Sequence, residues 1–311
     1  MASPTTSKAI TVANAPCSFG AFELTVGINP NVPDAVALLD QVAGTGYAGI
    51  DLGPAGYLGR GDELHERLSS RGLALAGGYL ELPYTDHGAL VEAIDRDLDE
   101  LLTAFDSVSD IEPRPKPTLA DPGSDVRRAN PGRSNKDRSF GWSDAEWRLF
   151  ADGFARVFEY CVNRGYEPTF HNETGSYVEA PWEIEKVLEL TDVGLCLDTG
   201  HLVVAGGDPV AAVHDWGARI NHLHVKDARR SVLDGIVADH GETDEIWRRR
   251  AFCALGDGGI PLDAVFDALR NSGYSGWLVV EQDIFPEASD PPGWAADQQR
   301  INRDFLRARG I

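Results

Sequence analysis

The chain has 311 residues, 42% of them hydrophobic and 25% charged, a composition that supports a sizeable globular core and excludes a disordered polymer. Its formal net charge of −21 would repel phosphate backbones and anionic membranes, so neither nucleic acid nor a membrane surface is an expected partner. No apolar run reaches the roughly 18 residues of a membrane span, and residues 1–10 lack the basic-then-apolar order of a secretory signal. Cys17, Cys161, Cys196 and Cys253 form no CxxC pair, which argues against a zinc ribbon or a disulfide framework and fits a reducing cytoplasm.

Residues 1–14 read as a disordered lead-in, and 15–311 as one domain. Strand-length apolar runs then recur at Ala15–Phe22, Ala48–Gly53, Leu73–Leu80, Pro117–Asp121, Pro168–Glu173, Val193–Asp198, Ile220–Lys226 and Trp277–Gln282. Helix-period segments lie between them: Pro33–Gly44, Gly61–Arg71, His87–Phe105, Ser143–Arg164, Pro181–Leu190 and Leu262–Asn271. Several begin with capping chemistry, as in Pro33-Asp34 and in Ser143 followed three residues later by Glu146. Eight strands alternating with helices predict an α/β fold, a (β/α)₈ TIM barrel whose usual length of about 250 residues suits a single domain. An open doubly wound sheet is the rival, but no GxGxxG follows the first strand. Two connections are long, residues 111–142 and residues 228–259, read as the loops after the fourth and seventh strands. They leave the strand ends where barrel active sites form, and are expected to act as lids.

Four ionisable residues occupy the last positions of predicted strands: Glu173, Asp198, His224 and Glu281. Strand alternation puts His222 and His224 opposite Leu223 and Val225, Asp198 opposite Leu197, and Glu281 opposite Val280. The apolar partners can then cover the helix layer while the ionisable groups face the barrel mouth. Three carboxylates and one imidazole gathered in a buried mouth repel one another unless a cation joins them. That donor set suits Mn²⁺, Mg²⁺ or Co²⁺ better than a thiolate-seeking metal. Lys226 shares the inward parity and is expected either to donate to a substrate oxygen or to pair with a carboxylate. His222 reads as a satisfied core histidine, Cys196 as packing, Asp51 as a substrate-orienting or loop-capping residue, and Gly256–Gly259 as a turn.

The segments His171-Asn172-Glu173-Thr174-Gly175, Asp198-Thr199-Gly200-His201, His224-Val225-Lys226-Asp227-Ala228-Arg229-Arg230, Gly256-Asp257-Gly258-Gly259 and Val280-Glu281 resemble the sugar phosphate isomerase/epimerase superfamily of xylose-isomerase-like barrels. The branch of inosose (keto-inositol) dehydratases looks nearest. The resemblance implies one divalent metal, Mn²⁺ first with Co²⁺, Mg²⁺ or Zn²⁺ as alternatives, held by Glu173, Asp198, His224 and Glu281. It also implies Glu173 and Glu281 as the proton-transferring bases, and Glu179, His201 and Arg230 as substrate contacts. The dehydratase branch usually has histidine where this chain has Glu173. The expected activity is therefore isomerisation or epimerisation of a keto-sugar or keto-cyclitol through its α-proton, with inosose-type dehydration on the same metal site as the alternative. A homo-oligomer is compatible with this reading.

Overall fold

The computed structural model describes residues 10–311. Short buried strands alternate with helices that start on side-chain caps. Asp34 accepts a hydrogen bond from the Ala37 amide at 2.8 Å at the start of the helix Ala35–Thr45. A reciprocal Ser143–Glu146 box opens the 20-residue helix Asp144–Asn163. Each such cap satisfies amides that the first helical turn leaves without partners, and contributes about 1 kcal/mol.

The strands are β1 (Thr11–Asn14), β2 (Gly49–Ile50), β3 (Ala74–Leu75), β4 (Gly77–Glu81), β5 (Lys116–Ala120), β6 (Thr169–His171), β7 (Gly194–Asp198), β8 (Ile220–Val225), β9 (Asp227–Ala228), β10 (Phe252–Cys253) and β11 (Trp277–Val280). Nine of them form one sheet in the order β3-β2-β1-β11-β8-β7-β6-β5-β4, with every pairing parallel. The two ends of that sheet, β3 and β4, are consecutive in the chain with Ala76 alone between them. Ala76 donates to Ile50 on one side, and its carbonyl accepts from Lys116 on the other. The sheet therefore closes on itself through one bent segment, giving the eightfold parallel barrel.

Side-chain alternation sorts the residues as the sequence suggests. Leu197, Leu223, Val225 and Val280 join the main core between sheet and helices. Ala13, Ala15, Ala74, Ala76, Trp277 and Val279 form a separate apolar cluster. Their alternation with the outward residues places them inside the barrel.

Two expectations shift. The first strand is Thr11–Asn14 rather than Ala15–Phe22, because Pro16 has no amide to continue a ladder and Pro16–Phe19 winds into a 3₁₀ turn. Part of the expected lead-in over residues 1–14 is thus barrel strand, and residues 1–9 lie outside the described residues. The helix expected at His87–Phe105 runs from His87 to Asp106 with a π turn at Ile94–Leu98.

The long connections are structured. The first carries a short helix, Asp125–Arg128, and the second a β9–β10 antiparallel pair with helices Arg230–Ala238 and Thr243–Arg248. They touch each other: the Thr243 hydroxyl donates to the Arg128 carbonyl at 2.9 Å. No helix among the described residues is long and apolar enough to cross a membrane.

Candidate metal centre and active site

Asp198 ends β7 and begins the helix Thr199–Val204. Its Oδ1 accepts from the amides of Gly200 (2.8 Å) and His201 (2.9 Å), which leaves Oδ2 facing the barrel mouth. The following residues explain the Asp-Thr-Gly-His run. The Thr199 hydroxyl donates to the Lys226 carbonyl at 2.7 Å and accepts from the Lys226 amide at 3.0 Å, tying β7 to β8 beyond the ladder. A Cβ at Gly200 would stand 2.6 Å from Cβ of Lys226 and 2.8 Å from the Phe252 ring, so only glycine permits this approach. On the other side Asn172 pairs with the Asp198 backbone, donating to its carbonyl (3.2 Å) and accepting from its amide (2.9 Å).

Into this frame four buried side chains bring donor atoms that all lie within 4.8 Å of one another: His171, Asp198, His224 and Glu281. Nδ1 of His224 is 3.1 Å from Glu281 Oε2 and 4.0 Å from Asp198 Oδ2, and Nε2 of His171 is 3.6 Å from Asp198 Oδ2. Glu173 is not one of the four. It lies two residues past the end of β6, with Oε1 3.2 Å from His201 Nε2 and Oε2 3.6 Å from His171 Nδ1. Lys226 is buried, 2.6 Å from Asp198 Oδ2 and 3.6 Å from Asp283 Oδ2, and also hydrogen-bonds Glu281. Its partners are these carboxylates rather than the adjacent Asp227. Asp227 instead accepts from the amides of Ala228, Gly256, Gly258 and Ile260, which makes Gly256–Gly259 the turn that the sequence suggests.

The expected substrate contacts are spread out. His201 joins the cluster, with its Nδ1 2.8 Å from the Thr174 hydroxyl. Glu179 is fully buried but committed to the first long connection: it accepts from the Gly132 amide and pairs with Arg127 at 3.1 Å. Arg230 is exposed at the start of the helix Arg230–Ala238 and makes no ion pair among the described residues. Sequence reasoning left His171 and Asp283 out of the cluster in which the structure places them. The signal for both was their parity, two residues before Glu173 and two after Glu281.

Electrostatics divide these groups. Burial opposes ionisation of Asp198, but Lys226 and His201 outweigh it and hold its carboxyl well below the usual range. Burial likewise opposes ionisation of Glu281, which His224 and Lys226 hold low. Glu173 is pushed well above the carboxylate range, chiefly by burial, against the pull of Lys226. Burial also raises Asp283 to about 6 and Glu179 to about 7, and lowers His171 to about 4. His171 is therefore a neutral imidazole at neutral pH, with a lone pair on one ring nitrogen.

Both ring nitrogens of His171 and of His224 are buried without a hydrogen-bond partner. An orphaned buried polar group costs about 1–3 kcal/mol, and a cation among His171, Asp198, His224 and Glu281 would satisfy one nitrogen on each ring. Two imidazoles with two carboxylates suit a divalent ion of the Mn²⁺–Zn²⁺ series. The residues present fit such an ion. Without it, positive charge falls to Lys226 and to His224, where burial is outweighed by Cys196 and Glu281 so that the ring holds a proton well above the usual range. Metal binding would displace that proton.

A family model described as xylose isomerase-like TIM barrel matches residues 39–308. The chain belongs to this family. Among curated relatives, the inosose dehydratase of Bacillus thuringiensis (strain Al Hakam) is 34% identical over 171 residues, 54% of this chain and 56% of the relative. The chain's match thus spans about half the length of the curated relatives. Solved structures with the same fold include an L-ribulose 3-epimerase (TM-score 0.67, 16% identity, 96% of this chain and 94% of that one). A probable 3-DHS dehydratase from Bacillus anthracis also aligns (TM-score 0.65, 13% identity, 96% and 97% covered). At those identities the structural neighbours establish the fold alone.

Proposed function

We propose that this chain is a divalent-metal-dependent lyase that removes water from a keto-cyclitol of the inosose type. The observation that carries the reading is the composition of the four-residue set. His171, not Glu173, completes it with Asp198, His224 and Glu281, and Glu173 stands beside it in contact with His201. Elimination next to a carbonyl needs a base at the α-carbon and an acid at the departing hydroxyl. Two carboxyl groups whose surroundings push their proton affinities apart are suited to those two roles. Glu281, held ionised beside His224 and Lys226, takes the α-proton. Glu173, held protonated by burial, delivers a proton to the leaving oxygen. His201 orients it: with the Thr174 hydroxyl donating to Nδ1, the Nε2–H points at Glu173 Oε1. Lys226, the one buried ammonium among the described residues, steadies Glu281 and neutralises charge developing on the substrate. A bound divalent ion would supply a Lewis acid that polarises the carbonyl oxygen.

This reading puts dehydration ahead of the isomerisation favoured from sequence, which relied on two glutamates within the ligand set. The relatives named inosose dehydratase support the same order. Incubating the protein with Mn²⁺ and a panel of keto-inositols and ketoses in D₂O, followed by mass spectrometry, tests it. A product lighter by one water from a keto-inositol is expected. An isomer of unchanged composition apart from one deuterium, with no water lost from any substrate, overturns the lyase assignment.

A further inference from the structure

Beside the four-residue set lies a second group of polar atoms that the chemistry above does not use. Asp51 extends from the end of β2, its amide donating to the Asn14 carbonyl at 2.9 Å, and its carboxylate enters the barrel. β2 and β8 are not neighbours, since β1 and β11 stand between them. The carboxylate nevertheless reaches the imidazole of His224, with Oδ2 3.4 Å from Nε2. Two features of the sequence permit that crossing. At this level β1 and the residue after it present just the methyl groups of Ala13 and Ala15. Gly77 of β4 has no side chain where a Cβ would stand 3.2 Å from Asp51 Oδ1. Asp51 is buried, accepts no backbone hydrogen bond among the described residues, and its Oδ1 has no partner. A loop-capping role therefore has no bond to rest on. His222, packed against His224 at 5.3 Å between ring centroids, also keeps both nitrogens unpartnered, so it is buried as expected but not satisfied.

We propose that Asp51 is the positioning residue of the metal centre: it takes the Nε2–H of His224, fixing the tautomer in which the Nδ1 lone pair faces Glu281 and Asp198. This inference rests on the metal reading above. The two nitrogens of His224 already face opposite ways, Nδ1 toward Glu281 at 3.1 Å and Nε2 toward Asp51. A carboxylate on the far nitrogen of a ligating histidine fixes ring orientation and raises ligand basicity, and its loss typically weakens metal binding about 10–100-fold. A neutral His224 without Asp51 could carry its proton on Nδ1 and present no lone pair to the ion.

The test compares wild type with Asp51→Asn and Asp51→Glu, each checked for folding by circular dichroism. Free Mn²⁺ is measured by electron paramagnetic resonance during titration, and the ring nitrogens of His224 are followed by ¹⁵N NMR on Zn²⁺-loaded and metal-free protein. The expected result is about 10–100-fold weaker Mn²⁺ binding for Asp51→Asn, partial recovery in Asp51→Glu, and a His224 Nε2–H resonance that shifts in Asp51→Asn. Mn²⁺ affinity within twofold of wild type together with an unmoved His224 signal overturns the proposal. If wild type itself binds neither Mn²⁺ nor Zn²⁺, the metal reading fails. The Nε2–H resonance of the metal-free protein then decides the role of Asp51 alone, and an unchanged resonance in Asp51→Asn rejects it.

Discussion

His171 ends β6 and Glu173 lies two residues beyond it, and the structure gives them different neighbours. His171→Ala removes a donor from the four-residue set, so bound metal should fall well below wild type in elemental analysis. Glu173→Gln should keep metal near wild type while turnover drops about 10²–10⁴-fold, the usual loss of a general acid or base. Metal loss in Glu173→Gln with retention in His171→Ala would restore Glu173 as the ligand. Lys226→Met tests the ammonium in the same way. Breaking a buried pair leaves uncompensated charge and costs about 3–5 kcal/mol, here on Asp198 and Glu281. Urea unfolding in chelator should show that loss, and saturating Mn²⁺ should shrink it, because the ion supplies the missing charge. An equal loss with and without Mn²⁺ would mean that the two cations do not share those carboxylates.

At the scale of elements, the connection after β5 is held by one buried arginine. Arg127 pairs with Glu183 at 2.8 Å and Glu179 at 3.1 Å, and donates to the Ser134 hydroxyl at 3.1 Å. These contacts clamp the connection to the start of the helix Pro181–Leu190. Glu179, expected from sequence to meet substrate, spends both oxygens here. Arg127→Met should destabilise the fold by about 3–5 kcal/mol and speed proteolytic cleavage between Ser124 and Trp142. Because the connection also meets Thr243 of the second one, substrate KM should rise as well. Unchanged protease sensitivity would show that the aromatic packing of Trp142 on Tyr177 (4.9 Å) and Trp147 (4.9 Å) suffices to hold it.

For the molecule as a whole, an ion that binds only the folded barrel stabilises it by mass action, about 2.7 kcal/mol at a hundredfold excess over Kd. Mn²⁺ at that excess should raise the melting temperature by several degrees, and chelation should reverse the shift. A melting curve insensitive to both would contradict a folded-state metal site. The overall charge of −21 favours cation uptake into the mouth and opposes approach of anions.

Asp198, His224 and Glu281 were legible because strand alternation is local: a carboxylate or imidazole beside Leu197, Val225 or Val280 must face away from the helix layer. The eight strands were legible for the same reason, apart from the first, where Pro16 moved the boundary. Cross-barrel distances are not local. The strand order β2-β1-β11-β8 sets Asp51 against His224, residues 173 positions apart that no spacing rule connects. The end of β6 at His171, and the turn from Glu173 to Ser176 after it, decide which of the two residues joins the cluster of Asp198, His224 and Glu281. Those placements depend on how the sheet closes through Ala76, and closure is a property of all the strands together rather than of any one segment.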